Sequence, residues 1–237
     1  MSQSLRTAVI TAHGQPSAPA PAEADLADLA RAVSAFLPDW DVRSATLASP
    51  GQLEATVTPG AIIYPFFMSR GWFTSKVLPE RLADIPCHVA SPFGLDPALP
   101  QLAAQAVLQS AKELAWPATE DPHLLLAAHG SARGPKAAEA AEAFAAQLRP
   151  HLPGWTVSIG YVEQAPRLAE AARQLPPRSL CLPFFAQAGD HVRQDIPEAL
   201  EDAGFSGQVL PVTGALTGVP QLIAKAIERT ALESQDA

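Results

Sequence analysis

Leu124-Leu-Leu-Ala-Ala-His-Gly-Ser-Ala-Arg133 runs five apolar residues into a histidine and a Gly-Ser step. A short apolar run closed by a turn signal predicts a buried parallel strand that stops abruptly and leaves His129 at its C-terminal tip. In open α/β sheets, ligands bind just beyond the carboxyl ends of the strands. The same phrase stands earlier as Ala8-Val-Ile-Thr-Ala-His-Gly-Gln15, so the chain states it twice.

Working outward from the two phrases, strands and helices alternate. The first half predicts strands over 7–12, 40–47, 61–65 and 87–90, and helices over 22–37, to about 82, and over 99–114. Leu26, Leu29, Ala30, Val33 and Leu37 form the apolar face of the first helix. Residues 115–122 carry Trp-Pro-Ala-Thr-Glu-Asp-Pro, poor material for helix or strand, and predict a linker. The second half predicts strands over 124–128, 155–162, 179–183 and 208–212. Its helices fall over 135–148, 165–175, to about 203, and 219–232. Such alternation with short connections implies two doubly wound parallel-sheet lobes, 1–116 and 117–237.

The halves align closely enough to imply internal duplication. Leu37-Pro-Asp-Trp-Asp-Val42 matches Leu152-Pro-Gly-Trp-Thr-Val157, and Tyr64-Pro-Phe-Phe-Met-Ser-Arg-Gly71 matches Leu182-Pro-Phe-Phe-Ala-Gln-Ala-Gly189. The charged positions do not repeat. His129 has a counterpart in His13, but His191 falls opposite Phe73, Asp195 opposite Val77, and Glu163 near Ala48. The second half therefore places His129, Glu163 and His191 at the ends of three successive strands, facing one crevice. Two imidazoles and a carboxylate converging in this way can hold a divalent transition ion with coordination positions left open. A neutral imidazole also accepts protons near physiological pH, so the trio can bind metal, take protons, or do both.

Bulk properties narrow the classes. The chain has 237 residues, with 24 acidic against 16 basic side chains and a formal net charge of −8. That balance argues against a general nucleic-acid or anionic-membrane surface. The N-terminal residues lack a basic stretch followed by an apolar one, so no signal peptide is expected, and no apolar run approaches the about 20 residues that cross a bilayer. Cys87 and Cys181 sit among strand-like apolar residues and read as buried free thiols of a reducing compartment, which implies a cytoplasmic protein.

Ala-His-Gly-Ser followed by Arg133, the segment Pro-Phe-Phe-x-x-x-Gly-x-His-x-x-x-Asp-Ile-Pro ending at Pro197, and the acidic residue after the second strand resemble the class II tetrapyrrole chelatases. Within them the match is to the long, two-lobe form of the sirohydrochlorin cobalt or iron chelatases. The resemblance implies two flavodoxin-like lobes clasping a macrocycle. It also implies ATP-independent insertion of Co²⁺ or Fe²⁺ into sirohydrochlorin, in cobalamin or sirohaem synthesis, with the metal as substrate and no permanently bound cofactor. His129 and His191 match the family's two active-site histidines, and Glu163 matches the carboxylate that joins them around the metal. Gly130, Ser131, Arg133, Gly189 and His13 are the expected tetrapyrrole-binding positions. Arg133, Lys136 and Arg193 are candidate partners for the macrocycle's carboxylates, while Ser131 also suits a helix N-cap. Phe73 and Val77 depart from the pattern and leave one complete site per chain. With both lobes in one chain, a monomer or a homodimer is expected.

Rival classes fare less well. A non-catalytic tetrapyrrole or metal carrier on the same fold fits the loss of charge in the first half, but not the complete second half. A histidine phosphatase needs Arg before His-Gly, where Ala12 and Ala128 stand. No Gly-x-Gly-x-x-Gly follows either first strand, and no Gly-x-x-x-x-Gly-Lys-Ser/Thr loop occurs, which leaves neither dinucleotide binding nor ATP hydrolysis a motif.

Overall fold

A computed structural model describes residues 5–116, 121–131 and 134–235 of the chain. They form two compact units, Met1–Asp96 with Gly218–Ala237, and Pro97–Thr217. In the first, β1 (Arg6–Ala12) lies between β2 (Trp40–Thr46) and β3 (Ile62–Pro65), with β4 (His88–Val89) beyond β3. In the second, β5 (His123–Ala128) lies between β6 (Thr156–Tyr161) and β7 (Ser179–Pro183), with β8 (Gln208–Val209) beyond β7. Every pairing is parallel. The predicted fold class, two α/β lobes each built on a parallel sheet, is the one observed.

The middles of the central strands are apolar because helices cover both faces of a parallel sheet. Ala8, Val9, Ile10, Leu124, Leu125 and Leu126 are all fully buried. One core in the first unit gathers Val9, Leu53, Ile63 and Leu78, and its counterpart in the second gathers Leu125, Leu168, Cys181 and Ile196. Of the longer helices, α1 (Pro19–Ser34) buries Leu26, Ala30 and Val33 at helical spacing, and starts with proline where the missing N–H is harmless. α5 (Lys136–Leu148) buries Ala141, Phe144, Ala145 and Leu148. Shorter helices follow the second and third strands of each sheet: α2 (Gln52–Thr56) and α3 (Leu78–Arg81) in the first unit, α6 (Leu168–Ala172) and α7 (Ile196–Asp202) in the second. A π-helical turn precedes α3 at Phe73–Val77, and another precedes α7 at His191–Asp195.

The boundary between units differs from the one expected at 116/117. The helix α4 (Leu99–Glu113), expected to close the first lobe, packs beside α5 in the second unit, and Trp116 stacks on Trp155 there at 6.0 Å. The last helix, α8 (Val219–Glu233), returns to the first unit, beside α1 and over β3 and β4. Its Arg229 meets the nearly buried Asp96 at 3.0 Å. An amphipathic pattern tells which face of a helix is buried but not which sheet buries it, so this exchange of final helices has no mark in the sequence. The linker residues 117–120 lie outside the described residues.

Candidate metal-binding site at the strand ends of the second unit

Chain geometry at the carboxyl edge of β5, β6 and β7 sets three side chains together. β5 ends at Ala128, and His129 follows at once. The chain after β6 runs on alongside, with Val162 N–H donating to Ala128 O at 3.0 Å and Glu163 N–H to His129 O at 2.9 Å. After β7 a loop leads into the π turn, which starts on His191 and is closed by Ile196 N–H on His191 O. One potential ligand atom each from His129, Glu163 and His191 lies within 4.8 Å of the others. Ligands about 2.0–2.2 Å from one ion stand at most about 4.4 Å apart, a separation compatible with this grouping.

The hydrogen bonds decide what each ring presents. His129 Nδ1 is 2.8 Å from Gly130 O, and a carbonyl can only accept. Nδ1 therefore carries the proton and Nε2 offers the lone pair. His191 Nδ1 meets Asp195 Oδ2 at 2.5 Å, with the same consequence. The two rings stand edge to face, 4.4 Å between centroids and 82° between planes. Glu163 Oε2 is 3.7 Å from His129 Nδ1. All three side chains are about 40% exposed, at 41% and 42% for His129 and Glu163 and 37% for His191, so a hydrated ion can reach them. A cavity of ≈440 Å³ opens beside them, lined in part by Tyr161, Glu163, Arg167, His191, Asp195 and Glu198. Burial, with the neighbouring Glu142 carboxylate, pushes the Tyr161 phenol up to about 12, so it stays protonated.

Gly130 makes the turn possible. Its φ is +68°, and a Cβ built there would lie 2.7 Å from Gln164 Cγ. Gln164 in turn accepts the Ser131 N–H on its Oε1 at 2.8 Å. Ser131 is not a helix cap: α5 begins five residues later, after Pro135 at the N-cap position. Gly189 lies in the loop before the π turn with open space where a Cβ would be, and its carbonyl accepts the Val192 and Arg193 N–H groups. Lys136 opens α5 and Arg193 lies within the π turn, both exposed. Arg133 lies outside the described residues.

His13 belongs to the first unit and meets Phe73 there. The rings stand edge to face at 4.3 Å and 81°, with Phe73 starting that unit's π turn as His191 does in the second. Sequence reasoning did not find Gln164 or Arg167, whose guanidinium donates to Val162 O. Neither carries a local signal, since each partner is supplied by a turn rather than by a motif. It also left Asp195 out of the site, although His191 and Asp195 are spaced to face one another across a helical turn.

The sequence model of the CbiX family matches residues 123–233. A solved CbiX, described as the terminal enzyme for biosynthesis of siroheme in denitrifying bacteria, is 44% identical over 94% of this chain and 99% of that one, with a TM-score of 0.86. SirB from Bacillus subtilis, solved with Fe³⁺, shares the fold at a TM-score of 0.75 and 14% identity, over 98% of each chain. DR2241 from Deinococcus radiodurans, described as structurally similar to chelatases, matches 94% of this chain and 54% of its own at a TM-score of 0.66 and 20% identity. Comparison with the curated proteins gave no match. With that identity sustained from end to end, the chain belongs to the CbiX family of class II chelatases.

Proposed function

We propose that this protein inserts a divalent metal ion into sirohydrochlorin without ATP, completing sirohaem or serving cobalamin synthesis. The observation that carries this reading is the convergence of His129, Glu163 and His191 in a chain 44% identical to a siroheme-forming CbiX. The siroheme role of that relative favours Fe²⁺ as the physiological ion. Co²⁺ is the alternative, because nitrogen and oxygen ligands take both.

Insertion exchanges two pyrrole N–H protons for one cation, so the protein must supply both a base and a transient ligand. The two Nε2 lone pairs suit either task, and the Glu163 carboxylate offsets the charge of the arriving ion. Donors about 40% exposed suit a metal that has to leave for the macrocycle. Sirohydrochlorin bears many carboxylates, for which Arg167 at the rim of the cavity and Arg193 are cationic partners.

The test is anaerobic metal insertion followed by tetrapyrrole absorbance, comparing Fe²⁺ and Co²⁺ with no nucleotide present. His129→Ala and His191→Ala should each lower the rate by about 10²-fold or more, while His13→Ala stays within a few-fold of the wild type. Tight binding of the macrocycle with no acceleration by any metal would refute the enzyme and leave a carrier.

A further inference from the structure

We propose that Asp195 is a positioning residue that fixes the tautomer and ring orientation of His191. The inference rests on the metal-handling role proposed for His191. Asp195 Oδ2 lies 2.5 Å from His191 Nδ1, and both residues belong to the same π turn, at its two ends. A carboxylate on Nδ1–H holds the proton there and turns Nε2 outward. It also strengthens Nε2 as a donor, as outer carboxylates do for metal-bound histidines. The ring so held stands edge to face with that of His129, 4.4 Å between centroids. Without that partner, the ring is free to turn about its side-chain bonds and to take the Nε2–H tautomer.

The first unit supplies an independent observation. Its π turn, Phe73–Val77, has the same length and the same closing i to i+5 bond, here from Leu78 N–H to Phe73 O. Phe73 holds its ring edge-on to His13, 4.3 Å away at 81°, with no carboxylate at Val77. The backbone turn and the edge-on packing therefore need no acid at the fifth position. Where the ring has no Nδ1–H to hold, the carboxylate is missing as well. Asp195 thus answers to the imidazole and not to the turn.

Two measurements on the full chain test this. In nitrogen-detected NMR of ¹⁵N-histidine-labelled protein, neutral His191 should be the Nδ1–H tautomer. In Asp195→Ala it should shift toward Nε2–H, and in Asp195→Asn, whose amide oxygen still accepts, it should remain Nδ1–H. In Co²⁺ titrations read by visible absorption, Asp195→Ala should weaken binding by about 10–100-fold, with Asp195→Asn between it and the wild type. In insertion assays Asp195→Ala should raise the KM for metal and leave that for the tetrapyrrole unchanged. An unchanged tautomer together with Co²⁺ affinity within twofold of wild type in both variants would overturn the proposal. His191→Ala, run alongside, keeps the two readings apart. If it leaves the Co²⁺ spectrum intact, the metal role of His191 fails, whereas the tautomer measurement still judges Asp195.

Discussion

Replacing Gly130 with alanine should hurt this protein twice, and the two effects can be separated. The first is conformational: at φ +68° an L side chain is strained, at about 1–2 kcal/mol. The second is contact: the new Cβ would lie 2.7 Å from Gln164 Cγ and 3.0 Å from Tyr161 Cβ. Tyr161 is fixed by the sheet, so Gln164 must yield, and crowding of this kind costs about 1–3 kcal/mol. Gly154→Ala is the internal control, because Gly154 has φ +81° in the same unit and nothing within 4 Å of its Cβ position. Urea denaturation should give a loss of about 2–5 kcal/mol for Gly130→Ala and about 1–2 kcal/mol for Gly154→Ala. The displaced Gln164 also gives up the Ser131 N–H and shifts its neighbour Glu163, so Co²⁺ affinity should fall in Gly130→Ala and hold in Gly154→Ala. Equal destabilisation of the two variants, with metal binding intact in both, would refute the contact argument.

Other perturbations test the scaffold. Burial lowers the His123 imidazole below its ordinary value, and its Nε2 lies 2.8 Å from Ser158 Oγ. The unfolded chain therefore takes up the proton first, and stability should fall as pH drops below about 6.5; His123→Gln should flatten the loss seen between pH 7.5 and 5.5 in urea titrations. Arg81 forks onto both oxygens of Glu54 at 2.6 Å and also donates to Leu47 O, tying α3 to α2 and to the end of β2. Arg81→Ala should cost on the order of 1–2 kcal/mol at pH 7. Arg81 holds the Glu54 carboxyl below the usual range, so its contribution is present above about pH 4.5 and should fade as the pH falls further. The Cys181 thiol, pushed up to about 12 by burial, should resist alkylation in the native state and react only on unfolding.

What could be read from the residues follows from what fixes each feature. The central strands were legible because a parallel sheet covered on both faces demands an unbroken apolar run, as Leu124–Leu126 supplies. His129, Glu163 and His191 were legible because strand ends and a missing counterpart in the other half single them out. The allocation of α4 and α8 was not, since Leu222, Ile223 and Ile227 would suit the apolar face of either sheet. The π turns were equally hidden: one bond from i to i+5 instead of i to i+4 leaves no trace in composition. Gln164 was out of reach for a different reason. It joins the site only because Gly130 turns the chain toward it.

The two units together separate scaffold from chemistry. Register carries Thr46 and Tyr161 to matching positions beside Ala12 and Ala128, so Ala48 and Glu163 stand the same two steps beyond their strands. Gly14 and Gly130 both take the left-handed turn, at φ +72° and +68°, and each preceding histidine bonds the glycine carbonyl through Nδ1. The edge-on ring is in place in both units, as phenyl in one and imidazole in the other. Strand ends, glycine turn and π turn therefore fix where side chains meet, whatever those side chains are. The units differ at three of these positions: His191 stands for Phe73, Asp195 for Val77 and Glu163 for Ala48. Among the described residues, the group of side chains that could share an ion, His129, Glu163 and His191, therefore belongs to the second unit, where the scaffold common to both carries these substitutions.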